Sequence, residues 1–84
     1  MDPELFTFRE GDHWICAWRR LDVVTQGDTE REAVDRIYRV IAGYAIVDAR
    51  EGRAPCSSLR PPSPELLAEW EARAAAEHGH PLLH

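Results

Sequence analysis

The chain has no lysine. All ten of its basic side chains are arginines, set against fifteen carboxylates, and the formal net charge is −5. A general nucleic-acid-binding surface needs the opposite balance, because affinity for phosphate comes from a basic excess. No apolar run approaches the ~20 residues of a bilayer-spanning helix. The leading MDPELF lacks the basic-then-apolar order of a secretory signal. Cysteine is scarce as well. Cys16 and Cys56 show no metal-ligand spacing, so two reduced thiols in a cytoplasmic protein are expected, with a disulfide between them the less favoured alternative. There is no glycine-rich loop to cradle a phosphate, and Ser57-Ser58 lacks the flanking glycines of a nucleophile elbow. A mildly acidic chain suits a basic protein partner, since opposite charge speeds encounter.

What is present is organised around residues 23–48. Val23-Val24 leads through the polar turn Gln26-Gly27-Asp28 into a long amphipathic segment. Thr29 with Glu32 is a capping box: the hydroxyl accepts an N–H of the first helical turn, and the glutamate reaches back to the cap. Asp28, Glu30 and Glu32 place negative charge at the positive end of the helix dipole. Ala33, Val34, Ile37, Ile41, Tyr44 and Ala45 then recur at three- and four-residue intervals, with Val40 and Val47 widening the stripe. The pattern predicts a helix from about Glu30 to about Arg50, stopped by Gly52. Arg31, Asp35, Arg36, Arg39 and Asp48 fall mainly on the opposite, solvated side. Gly43 lies inside the pattern, either simply tolerated or admitting another backbone or a bulky ring.

Before this stretch, LFTFR alternates with Phe6 and Phe8 on one face, and HWICAWR with Trp14, Cys16 and Trp18 on one face against Ile15 and Ala17 on the other. Joined by Glu10-Gly11-Asp12 and followed by a third strand from Val23 to Gln26, these segments predict a three-stranded antiparallel meander. After the helix, RAPCSSLRPP is a proline-containing connection able to add a short fourth edge strand around Ala54 to Leu59. Ser63-Pro64-Glu65 then marks another helix start, and Leu66, Leu67, Trp70 and Ala74 give that helix a narrow apolar stripe ended by Gly79 and Pro81. The fold class is therefore α+β. Residues 1–52 form the core, 53–62 the connection, 63–78 the C-terminal helix and 79–84 a tail. One helix covers only one face of a sheet, so the other face requires a second copy, a different partner, or the C-terminal segment folding back. Trp14 and Trp18, left in water, would form an apolar patch of interface type, and a homo-oligomer, dimer or higher, is the favoured expectation.

Few residues are placed for chemistry. Glu10, Asp12, Asp22 and Asp28 sit in turns or at a helix cap, where backbone geometry alone favours such residues. His13 lacks a paired nucleophile and orienting acid. His78, His80 and His84 lie at the end of the chain, with no acid or thiol spaced to complete a metal site. No catalytic residue, metal or cofactor is expected. Arg19-Arg20 beside Trp18 is either a solvated turn or a contact to RNA or to an acidic partner.

The run from Trp14 to Val47, through Leu21, Val23, Val24, Thr25, Gln26, Gly27, Asp28, Thr29, Glu32, Ala33 and Ile37, resembles the HicB-like antitoxins of bacterial and archaeal toxin–antitoxin pairs. The resemblance covers roughly residues 5–52. The chain departs from the pattern at Arg19-Arg20, where relatives often carry a Pro-Glu-like pair, and its last third has no counterpart. The all-arginine, alanine-rich composition suits a GC-rich bacterial genome. The resemblance implies a degenerate ribonuclease H-like fold and a HicA-like partner, a small basic ribonuclease that cleaves mRNA. A working ribonuclease H-like site clusters acids around two metals, one acid on the first strand, and LFTFR has none. Relatives usually add a DNA-binding module. Here Glu65, Glu69, Glu71 and Glu77 stand against Arg73 alone, the wrong sign for phosphates, so direct DNA binding is not expected. The expected function is steric neutralisation of such a toxin, through Trp14, Trp18, Arg19, Arg20, Leu66 and Trp70. The alternative is an orphan HicB-like domain that assembles with itself as a structural or regulatory module.

Overall fold

The computed structural model describes residues 4–79, so the expectations for His80, Pro81 and His84 lie outside it. The chain runs β1 (Leu5–Glu10), β2 (His13–Trp18), β3 (Val24–Gly27), α1 (Glu30–Arg50) and α2 (Pro64–His78). The strands form an antiparallel meander in the order β1-β2-β3, which makes the fold α+β as the sequence predicts. The third strand begins and ends one residue later than its apolar pattern suggests.

Register decides what each face carries. Phe6 pairs with Ala17 and Phe8 with Ile15, while Leu5 pairs with Trp18 and Thr7 with Cys16. Side chains alternate along a strand, so the first four share one face and the others share the opposite one. α1 covers the Cys16 face, where its fully buried Ala33 and Ile37 pack with Leu5, Cys16 and Val23, and Trp14 and Trp18 lie half-buried at the margin. α2 folds back over the Phe face and seats Trp70 against Phe6, Phe8, Ile15 and Ala17, with the Trp70 and Phe6 ring centroids 6.4 Å apart. Of the three ways to cover the second face, the chain uses its own C-terminal helix. The result is a sheet between two helices.

Both helix starts are built as their sequences dictate. Thr29 Oγ1 accepts the Glu32 N–H at 3.1 Å, and Ser63 Oγ accepts the Leu66 N–H at 3.1 Å, with Pro64 opening α2. The Glu32 carboxylate reaches one residue further back than a simple capping box, accepting the Asp28 N–H at 3.2 Å. α1 ends at Arg50 with Gly52 at φ 75°, and α2 ends on Gly79 in the left-handed conformation.

The fourth edge strand does not form. Residues 55–58 form a turn and the rest of 53–62 is irregular, in a segment where Pro55, Pro61 and Pro62 offer no N–H for a ladder. The segment is tied down by Asp48, whose carboxylate accepts from Arg53 Nε at 3.2 Å, Arg53 Nη2 at 3.0 Å and Ser58 Oγ at 3.1 Å. Asp48 is thus fully buried, against its expected place on the solvated side of the helix. Among the described residues no disulfide joins Cys16, in the core, to Cys56, in this loop. At 21 residues α1 is about 31 Å long, against about 20 Å for the six-residue strands, and past Val40 and Ile41, which still touch the core, it exposes Tyr44, Ile46 and Val47.

Candidate functional site

The edge of β1 gathers a group of polar side chains. Thr7 Oγ1 donates to Glu30 Oε2 at 2.6 Å, and the Nε2 of His78, at the end of α2, lies 2.9 Å from Thr7 Oγ1 and 3.0 Å from the Thr7 carbonyl oxygen. A hydroxyl, a histidine and a carboxylate invite comparison with a nucleophile–base–acid relay, but the hydrogen bonds run the wrong way. The Thr7 hydroxyl gives its hydrogen to Glu30, so His78 Nε2–H is the donor, shared between the two Thr7 oxygens, and has no lone pair there to take a proton. Thr7 is also 1% exposed. One residue before His78, Glu77 accepts the outward Arg9 N–H at 3.0 Å. Together the two side chains satisfy backbone groups that an edge strand leaves open, which blunts the edge against pairing with another chain.

The residues expected at a partner interface separate into three groups. Leu66 and Trp70 are spent within the chain, on the Phe face of the sheet. Arg19 closes the same seam: its guanidinium lies 4.6 Å from the centre of the Phe6 ring and pairs with Glu71 at 3.5 Å. Arg73 mirrors it, 4.9 Å over Phe8 and 2.7 Å from Glu10. Trp14 and Trp18 pack beside α1, and Arg9 and His78 flank Trp14. Arg20 alone is largely in solvent, 3.4 Å from Glu4. The turn residues hold β3 to α1. Thr25 Oγ1 donates to the Ala33 carbonyl at 2.7 Å, Arg36 Nη1 donates to the Gln26 carbonyl at 2.6 Å, and Gly27 lies buried under the first turn of the helix.

The acidity of the Asp48 carboxyl is displaced. Burial on its own would raise the Asp48 pKa, but the hydrogen bonds from Arg53 and Ser58 outweigh burial and hold the carboxyl below its ordinary value. The same contact raises Arg53. The ring of donors is closed on Asp48, and its task is to fix the 51–60 turn against α1. Among the described residues no three His, Cys, Asp or Glu side chains stand together as a metal site would require.

Two surfaces remain open. One is the outer side of α2, where Glu65 and Glu69 are exposed one turn apart, with the exposed Glu71 and Glu77 engaged at its flanks by Arg19 and the Arg9 N–H. The other is the C-terminal half of α1, where Val40, Gly43, Tyr44 and Val47 line an open apolar hollow, with Tyr44 41% and Val47 48% exposed. The sequence shows these four residues as part of one continuous stripe; that Val40 still touches the core while Gly43, Tyr44 and Val47 lie exposed is visible only in the structure. No protein-family model matches the chain, and comparison with curated proteins and with solved structures gives no match either.

Proposed function

We propose that the chain is an antitoxin-like binding protein rather than an enzyme. It binds a HicA-like mRNA-cleaving toxin in the cytoplasm and neutralises it sterically, by covering the toxin's RNA-binding or catalytic surface. The observation that supports this reading is the acidic character of α2, whose exposed Glu65, Glu69, Glu71 and Glu77 sit on a helix held firmly on the sheet by Trp70 and by the two arginine–phenylalanine contacts. An RNA-cleaving partner presents a basic surface shaped for phosphates, and a helix with fixed carboxylates complements it in charge. The same carboxylates repel nucleic acid, so the proposal includes no DNA-reading module within this chain.

The test is co-expression with the immediate genomic neighbour. A stable complex, together with growth arrest when the neighbour is expressed alone and relief when this chain is restored, supports the reading. A neighbour that is neither bound nor toxic overturns it.

A further inference from the structure

The open stripe on α1 has an internal symmetry. Val40, Gly43, Tyr44 and Val47 follow one another at helical spacing, and the space above Gly43 is empty: a Cβ built there meets nothing within 4 Å. Reversing the helix about a point between residues 43 and 44 exchanges Val40 with Val47 and Gly43 with Tyr44. The large ring of one copy thus meets the gap of the other. One turn beyond each end of the stripe stand Arg36 and Glu51, and the same reversal exchanges them, placing opposite charges together. Arg36 currently gives one N–H to the Gln26 carbonyl, and Glu51 accepts one from Arg53 at 2.7 Å, so both retain capacity for another contact.

We infer that this stripe is a self-association surface, on which a second copy of the chain docks its own α1 antiparallel, Tyr44 over Gly43 and Arg36 against Glu51 at both ends. A two-fold contact requires a self-complementary patch, and this one complements itself in shape, in apolar character and in charge. Small residues at a helix crossing let the two backbones approach closely, which gives Gly43 a purpose it lacks in the single chain, where it costs about 1 kcal/mol relative to alanine. The inference does not depend on the identity of any toxin partner.

Sedimentation velocity of the full chain over a hundredfold concentration range tests it. A monomer–dimer equilibrium is expected. Val47→Glu, at an exposed position, should weaken the dimer at least tenfold while leaving the circular dichroism spectrum unchanged. Arg36→Glu and Glu51→Arg should each weaken it by placing like charges together, and the double exchange should recover most of the loss. That recovery is specific to a contact between copies, since a different partner or a purely internal role gives no reason for it. A chain that stays monomeric throughout overturns the inference. So does a dimer indifferent to Val47→Glu, or one in which the double exchange is no better than the singles.

Discussion

Gly27 shows how little of a residue's reason is visible from its neighbours in sequence. Within Gln26-Gly27-Asp28 it reads as a turn glycine, needed for backbone freedom. In the fold it is the last residue of β3, paired with Trp14, and the constraint on it is contact. A Cβ there would lie 2.7 Å from the Ala33 nitrogen and 2.7 Å from the Glu32 Cβ, in the turn that Thr29 caps. Backbone cannot give way as a flexible side chain can, so Gly27→Ala should destabilise the protein by about 1–3 kcal/mol, as overpacking usually does. Urea denaturation of the two chains measures it; equal midpoints would mean that the helix shifts without cost. Asp48 makes the complementary case, a charged residue whose burial no periodicity could announce, because the loop that buries it arrives from later in the chain. Its carboxyl is more acidic folded than unfolded, where the ordinary value is 3.8. The stability it contributes is therefore fully present above that value and is lost as pH falls through the lower folded value. Asp48→Asn should be less stable at neutral pH and should show a shallower decline of its melting temperature below about pH 4.

At the scale of elements, the starts and ends of both helices were legible because capping chemistry is local: Thr29, Ser63, Pro64, Gly52 and Gly79 act where they stand. The docking of α2 was not legible. Leu66, Leu67, Trp70 and Ala74 make an apolar stripe that any apolar surface could receive, and nothing in the spacing distinguishes this chain's own sheet from a partner's. The fourth strand failed for a related reason, since Asp48 draws residues 53–58 into a turn that competes with any sheet edge. Trp70 is the anchor of α2. Trp70→Ala should cost about 3–5 kcal/mol, in the range of large-to-small changes in a core. With α2 loosened, the Phe6–Phe8 face opens to water and the β1 edge loses Glu77 and His78. Amide hydrogen exchange at Arg9 should accelerate in Trp70→Ala, and also in Glu77→Ala, which leaves the core intact. Unchanged exchange at Arg9 in both variants would show that the helix end does not guard the edge.

The two open surfaces lie on opposite layers, α1 on one side of the sheet and α2 on the other. A contact made along α1 therefore leaves the acidic side of α2 exposed on both copies, and the self-association and toxin-binding proposals are sterically independent. Together they fix a stoichiometry. A two-fold dimer through α1 carries two acidic α2 surfaces facing away from each other, and each has room for one basic partner, giving a complex of two copies of each chain. Val47→Glu should reduce this to one copy of each while partner affinity per site stays within a few-fold, because Val47 is far from the carboxylates that steer encounter. Replacing Glu65 and Glu69 with arginine should act the other way, leaving the dimer intact while slowing association about tenfold or more at low salt, an effect that fades as salt screens the charges. Light scattering gives the stoichiometry and stopped-flow mixing the rate. If Val47→Glu abolished partner binding outright, the partner would lie across α1, and the apolar stripe rather than the acidic helix would be its site.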